Sequence, residues 1–410
     1  MSMRDHAQTI IDAAIRSALP DAAVKRALTD YTFAPGRVVL VAAGKAAWQM
    51  AACAADLLGD RIDAGVVVTK HDHSKGPIAN FRIFEAGHPV PDENSFLGTR
   101  AAIDLVSGLT AQDTVLFLLS GGGSALFEQP LISADELTDL TGQLLGSGAD
   151  IVEMNTLRKR VSAVKGGRFA RLCAPAHVFS VVLSDILGDP LDMIASGPAC
   201  PDSSTCEQAR AIAEKYALQL SPAILSLLEQ ETPKHLDNVT TRITGSVGQL
   251  CASAAETCRT LGYEPAILTD RLDCEARHAG RFLGAIARTH AGTGRKLAFI
   301  AGGETVVRLT GKGLGGRNQE LALSAAELLD GLDNVLVFSL GSDGTDGPTD
   351  AAGGMVDGTT RAALAAQDLS IHDVLADNDA YHALKAVDGL IFTGPTGTNV
   401  NDVSVLLIGG

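Results

Sequence analysis

The chain is poor in the residues that several large functional classes require. Aromatic residues make up 4% of its 410 positions, with a single tryptophan, which leaves little surface for stacking on unpaired bases. Basic residues are outnumbered, 33 against 48 acidic, for a net charge of −15. Such a surface repels DNA and anionic membranes over most of its area, so no nucleic-acid or membrane partner is expected. No run of about 18 uninterrupted apolar residues occurs, which excludes a membrane-spanning helix. The seven cysteines (53, 173, 200, 206, 251, 258 and 274) contain no C-x-x-C pair. An odd number without that spacing fits reduced thiols better than a disulfide framework or a zinc site. The N-terminal MSMRDHAQTIIDAAIRSALP is amphipathic and lacks the apolar core of a secretory signal, and the acidic Asp5, Asp12 and Asp21 oppose a mitochondrial presequence. A cytoplasmic globular protein is expected, as a monomer or small homo-oligomer.

What is present is ample core material. Apolar residues reach 46%, mean hydropathy is +0.17, and the length suggests two or three domains at roughly 150 residues each. Near-continuous apolar runs at 37–43, 64–69, 81–86, 114–119 and 177–183 alternate with helical stretches around 45–57, 93–107, 133–147 and 203–217. Apolar strands followed by helices predict an α/β fold with a parallel sheet covered on both faces, and ligands at the carboxyl ends of its strands. The polar stretch QETPKHLDN (230–238) predicts a linker. Beyond it the alternation restarts, with strands expected at 240–244, 265–269, 296–301, 305–309 and 334–340 and helices at 247–260, 273–289 and 316–330. Two α/β domains follow, 1–235 and 236–410.

The glycine-rich runs fall after predicted strands. Ser120-Gly121-Gly122-Gly123-Ser124 follows TVLFLL; its glycines permit close backbone approach, and successive N–H groups can form an anion-binding nest. It matches neither G-x-x-x-x-G-K-[ST] nor G-x-G-x-x-G. Lys45 follows RVVLVAAG and enters a helix, where a cation is electrostatically disfavoured unless an anion is bound. Five basic residues (158, 159, 160, 165 and 168) lie within eleven positions of MNTLRKRVSAVKGGR; Arg158 and Lys165 share a helical face and are candidates for an anion, with a solvated charged face as the plain alternative. Asp185 and Asp189 follow the fifth strand and are suited to Mg²⁺ or to accepting a proton, although Asp–Pro is also ordinary turn chemistry. Ser196-Gly-Pro198 is a weaker backbone-donor candidate. In the second half, Glu304 ends KLAFIAGGE, and Arg317 and Asn318 open a helix after GKGLGG. The arginine meets the same dipole conflict as Lys45, and its guanidinium suits a bidentate grip on phosphate or carboxylate. Asp343 and Asp346 sit in GSDGTDGPTD without the spacing of a calcium loop. GPTGTNVND (394–402) is a polar loop between apolar strands, and Thr398 and Asn399 are its candidate ligand contacts. Cations, backbone donors and acids at strand ends together suit phosphoryl transfer, which asks for positioning and charge rather than covalent chemistry.

The same residues resemble the glycerate 2-kinase family, the second glycerate kinase type, whose members are sometimes labelled hydroxypyruvate reductase. The resemblance runs through GHPVPDENS (87–95), LLSGGGSALF (118–127), MNTLRKRVSAVKGGR (154–168), VLSDILGDPLDMIASGP (182–198), AGGETVV (301–307), GGRNQELAL (315–323) and GSDGTDGPTDAAGG (341–354), in order across almost the whole chain. It implies a large Rossmann-like N-terminal domain and a smaller MOFRL-type C-terminal domain, with the active site in the cleft between them. It also implies transfer of the γ-phosphate of ATP to the 2-hydroxyl of D-glycerate with Mg²⁺ or another divalent cation, and active-site positions at Lys45 and Arg317. Chemistry assigns the remaining roles: Ser120–Ser124 on phosphate, Asp189 as base, and Asp185, Asp343 and Asp346 as metal or water-shell ligands. Asn155, Arg158, Lys165, Glu304, Asn318, Thr398 and Asn399 are expected around substrate or nucleotide. Val247, in TGSVGQ (244–249), departs from the family's Gly-Ser-Asn and would remove a nucleotide-contacting amide. Two rival readings are a nicotinamide-dependent hydroxypyruvate reductase and a non-catalytic sensor of a sugar phosphate or hydroxy acid. The first needs a dinucleotide fingerprint and a histidine in a general-acid setting, and His88, before Pro89 in an expected turn, does not offer one. The second has no use for four strand-end aspartates.

Overall fold

The computed structural model describes residues 2–410, which form two compact units. The first comprises Ala23–Ser184 and Asp189–Thr244; the second comprises the chain up to Ala22, Asp185–Gly188 and Gly245–Gly410.

The first unit is built on six strands: β1 (Val38–Ala43), β2 (Ala64–Lys70), β3 (Phe81–Ala86), β4 (Thr114–Leu119), β5 (His177–Leu183) and β6 (Val239–Gly245). Their order is β3-β2-β1-β4-β5-β6, parallel from β3 through β5. Every residue of VVLVAA in β1 and of TVLFLL in β4 is buried, as expected of central strands covered on both faces. Chain order runs outward in opposite directions from β1 and β4. The switch point therefore lies between those two strands, and the loops after them are where such a sheet receives ligands. Helices 93–106, 134–147, 151–160 and 206–215 each begin with a reciprocal capping box, set by Asp92, Ser133, Asp150 and Thr205, which satisfies backbone donors at the helix start.

The second unit carries β7 (Glu264–Leu272), β8 (Leu297–Gly303), β9 (Val335–Gly341), β10 (Gly353–Asp357), β11 (Leu390–Ile391) and β12 (Asp402–Ile408), in the order β11-β10-β9-β12-β8-β7. Only β7 and β8 pair in parallel; β12 runs antiparallel between β8 and β9, and β10 and β11 are also antiparallel. That insertion starts β12 where its neighbours end, so Asp402 stands opposite Gly303 on one side and Gly341 on the other.

Most expected elements form within a few residues of their predicted bounds, and the α/β class holds. The expected strand at 305–309 does not form; only an isolated bridge joins Val306 to Glu275. Gly311 and Gly313 then lie so close to Asp377 and Asp379 that a β-carbon would fall within 2.4 Å of either. The division also differs from a cut at 235. The polar stretch 230–238 leads into β6 of the first sheet: Asn238 accepts from Val178 N–H at 2.7 Å, and its amide donates to Ala170 and Ala176. The helix Met3–Ala18, in turn, buries Ala7, Ile10, Ile11, Ala14 and Ala18 against Leu250, Cys251, Ala254 and Phe338 of the second unit. Its apolar stripe is covered within the second unit, which therefore includes the chain start.

Candidate active site

In the first unit the two loops at the switch point are stitched together. Gly44 adopts φ +124°, and a β-carbon there would lie 2.2 Å from Ser120 Oγ and 2.5 Å from its carbonyl oxygen. Only glycine tolerates both the conformation and the contact. Lys45 N–H donates to Gly121 O at 2.9 Å, Ser120 N–H to Ala43 O at 3.0 Å, and Ala46 N–H to Ser120 Oγ at 3.1 Å. Gly122 sits in the left-handed region and begins a helix of only four residues, Gly123–Leu126, too short for much of a macrodipole. The backbone N–H groups of Gly121, Gly122, Gly123 and Ser124 nonetheless find no acceptor among the described residues, the condition of an anion-binding nest. The Lys45 side chain is exposed, with no ion pair or hydrogen bond among the described residues.

A buried polar network supports this loop from below. Lys165, fully buried, donates to Ser124 O at 2.8 Å and Phe127 O at 3.0 Å and pairs with buried Glu128 at 3.2 Å. Burial pushes its ammonium down to about 8 despite the opposing charge of Glu128. Arg158 donates to Ser124 O at 3.1 Å and stands 3.8 Å from Glu128. Ser124 Oγ lies 3.0 Å from Ser196 Oγ, which donates to Asn155 Oδ1 at 2.9 Å. Ala195, Ser196 and Gly197 all have positive φ, a run of strain held directly against the loop. The basic cluster is therefore neither a solvated face nor a bare anion site. Lys159 and Arg160 are buried on Asp202, at 3.0 and 3.4 Å, and Lys165, Arg158 and, through Ser196, Asn155 brace the loop. Asp189 has φ +52°, and its buried Oδ1 has no hydrogen-bond partner among the described residues.

The second unit assembles a separate cluster around Arg317, the first residue of the helix Arg317–Leu329. Its Nε donates to Asp402 Oδ2 at 2.5 Å and a terminal nitrogen to Asp402 Oδ1 at 3.0 Å, while another lies 3.2 Å from Glu304. Despite partial burial, these carboxylates hold the guanidinium well above its usual range. They also remove the conflict with the helix dipole without a bound anion, contrary to the sequence argument. Asn401 ties Glu304 Oε2 and the carbonyl of Asp185, both at 3.2 Å. Asp346 is not a free metal ligand: Oδ1 accepts from Asn318 N–H at 3.1 Å and Oδ2 from Gln319 N–H at 2.9 Å, capping the helix. Burial pushes its carboxyl up to about 6. Asn318 is itself buried and accepts from Ser339 Oγ at 2.5 Å. Asp343 keeps one oxygen on Thr345 N–H.

Two other candidates make bonds within the second unit. Thr398 donates to Ala18 O at 2.7 Å, anchoring the N-terminal helix, and Asn399 makes a turn by accepting from Asn401 N–H. Val247 is buried, and Gly302 packs so tightly on it that a β-carbon there would come within 2.6 Å. Its side chain fills the core. Gly311, Gly313 and Gly316 match G-x-G-x-x-G by spacing, but no strand leads directly into them and they pack on Asp377, Asp379 and Asp346. They are not a dinucleotide fingerprint. Sequence reasoning missed Glu128, Asn401 and Asp402. Asp402 ends GPTGTNVND, and an acid opening an apolar strand after a polar loop was the available signal.

The two segments match two known family models: residues 6–229 a domain described as of unknown function (DUF4147), and residues 297–402 the MOFRL family. The chain is 52% identical over 413 residues to D-glycerate 2-kinase of Thermotoga maritima, covering 99% of each chain. It is 41% identical over 390 residues to glycerate 2-kinase of Pyrococcus horikoshii, covering 91% of this chain and 88% of that one. A solved structure of a Thermotoga maritima glycerate kinase superimposes with a TM-score of 0.93 at 51% identity, over 99% of both chains. No helix among the described residues is long and apolar enough to cross a membrane.

Proposed function

The chain belongs to the glycerate 2-kinase family, and from that premise we propose that it transfers the γ-phosphoryl group of ATP to the 2-hydroxyl of D-glycerate, giving 2-phosphoglycerate and ADP. The bond from the γ-phosphorus to the β–γ bridging oxygen breaks, a bond from that phosphorus to the C2 oxygen forms, and the hydroxyl proton leaves to a base. The observation that carries this reading is the Ser120–Ser124 loop at the switch point, with four N–H groups lacking acceptors beside an unpaired Lys45. Such donors, fixed in advance, stabilise the charge that develops on the transferred group. Arg317, held rigid by Asp402 and Glu304, takes the substrate carboxylate or the transferred charge. Asp189, whose buried Oδ1 lacks a partner, takes the proton.

Mg²⁺ or a similar cation accompanies ATP, keeping water and phosphate ligands and needing only one or two carboxylates. No three His, Cys, Asp or Glu side chains among the described residues are grouped to hold a metal. Asp346 does not fit, because both oxygens cap a helix. Asp343 commits only one oxygen, to Thr345 N–H, and with Asp185 it would hold a cation that neutralises phosphate charge. The seven cysteines all stand unpaired, which suits a reducing cytoplasm. The test is ADP release with D-glycerate, ATP and MgCl₂: Lys45→Ala and Arg317→Ala are each expected to lose about 10³-fold in kcat with their folds intact. Unchanged turnover in both would remove the assignment.

A further inference from the structure

Three histidines lie around the loops after β1 and β4, and two of them have partners. His71 Nε2 is 2.9 Å from Asp92 Oδ2, and His73 Nδ1 is 3.0 Å from the Lys45 carbonyl. Neither ring nitrogen of His88 has a hydrogen-bond partner among the described residues. Yet its ring is pressed against the nest. A β-carbon on Gly122 would come within 3.1 Å of His88 Cδ2, 3.2 Å of Nε2 and 3.2 Å of Lys45 Cγ. The Cδ2–Nε2 edge therefore faces the one residue of the loop held left-handed, between two N–H groups that also lack acceptors. The left-handed φ of +84° disfavours any side chain at position 122, and the imidazole and the lysine stem flank the space.

Burial first, then the charges of Lys45, Lys70 and His73, push the His88 imidazole below its ordinary range. Near neutral pH it is an uncharged group with one N–H to donate, which adds a directed hydrogen bond to the point charge of Lys45. Asp92, the nearby acid, is already shared by His71 and the backbone N–H of Ser95. It does not hold His88.

We propose that His88 is a catalytic residue whose Nε2–H donates to an oxygen of the phosphoryl group received by the Ser120–Ser124 loop. The inference rests on the phosphotransfer reading above. Its role is that of one more oxyanion donor, on a side chain rather than the backbone. Removing such a donor lowers turnover by about 10²-fold while ground-state binding changes little.

His88→Ala and His88→Gln are compared with the wild type, with melting curves to show that both fold. His88→Ala should lose about 10²-fold in kcat with KM for ATP and D-glycerate within about threefold, whereas His88→Gln, which keeps an N–H donor, should recover to within about tenfold of wild type. Equal losses in the two folded variants, or kcat in both within about threefold of wild type, would overturn the proposal. A second measurement needs no turnover: the wild-type full chain labelled with ¹⁵N-histidine is titrated with inorganic phosphate, the His88 signals being assigned by their absence from His88→Gln. Movement of the His88 Nε2 signal supports the contact, and a signal that does not move with phosphate overturns it. If wild type consumes no ATP with glycerate, the phosphotransfer reading fails, and this titration alone decides whether His88 faces an anion.

Discussion

Glu128 offers the sharpest energetic test of how the phosphate loop is held. Its carboxylate is buried, accepts from Ser162 Oγ at 2.6 Å, and faces Lys165 at 3.2 Å and Arg158 at 3.8 Å. Glu128→Gln preserves shape but leaves the fully buried Lys165 ammonium with two carbonyls and a like-charged neighbour. Breaking a buried pair from one side costs about 3–5 kcal/mol. At about 2–4 °C per kcal/mol for a domain of this size, the first unit should melt about 6–20 °C lower at pH 7. Removing both charges, in Glu128→Gln with Lys165→Met, should recover part of that loss, because no unpaired charge stays buried. The pH dependence has a defined sign. The folded-state lysine titrates at about 8, below its ordinary 10.5, so between those values the unfolded chain holds a proton that the native chain has lost. The Lys165 contribution to stability therefore rises with pH across that window. In Glu128→Gln the rise should begin at lower pH, so the deficit against wild type shrinks in alkaline buffer. Differential scanning calorimetry across pH reads both effects. A Glu128→Gln protein melting within about 2 °C of wild type at pH 7 would refute the claim that this ion pair supports the loop.

Three further outcomes are expected. Asp402→Asn should lower kcat/KM about 10- to 100-fold in steady-state assays by loosening the grip on Arg317, and full activity would show that the arginine is placed some other way. Gly44→Ala, which puts a β-carbon 2.2 Å from Ser120 Oγ at φ +124°, should cost more than about 2 kcal/mol in urea melts; wild-type stability would contradict the close approach. Burial raises the Asp346 carboxyl from 3.8 to about 6, so in that window the folded chain holds a proton the unfolded chain has lost, and its contribution to stability falls as pH rises. Asp346→Asn should flatten that slope in melts between about pH 4 and 6, and an unchanged slope would locate the titration elsewhere.

The fold was legible wherever burial on both faces left an unbroken apolar run. RVVLVAA and TVLFLL announce β1 and β4, whereas the switch point between them emerges only from the strand order. The candidate site was signalled where a residue broke a local rule, a lysine opening a helix or glycines after a strand, although the same signal at Arg317 is met by Asp402 and Glu304. It was not legible where the chain satisfied its own charges at long range. Asp402 reaches Arg317 across 85 positions, and only the antiparallel insertion of β12, invisible in an α/β alternation, brings them together. Likewise nothing local distinguishes Lys165, buried on Glu128, from a ligand-facing lysine. The N-terminal helix carries a clear apolar stripe, but a stripe does not name the unit it will cover. His88 was discounted for its place before Pro89, and the contact with Gly122 is a tertiary fact.

The most direct test of the central claim is the identity of the phosphorylated product. The purified chain is incubated with ATP, MgCl₂ and D-glycerate, and the phosphoglycerate isomer is read by ³¹P NMR and by coupling to enolase without added mutase. Immediate formation of 2-phosphoglycerate is the expected result. Formation of 3-phosphoglycerate alone would contradict transfer to the 2-hydroxyl, and absence of ATP consumption with any hydroxy acid or divalent ion would contradict phosphotransfer itself.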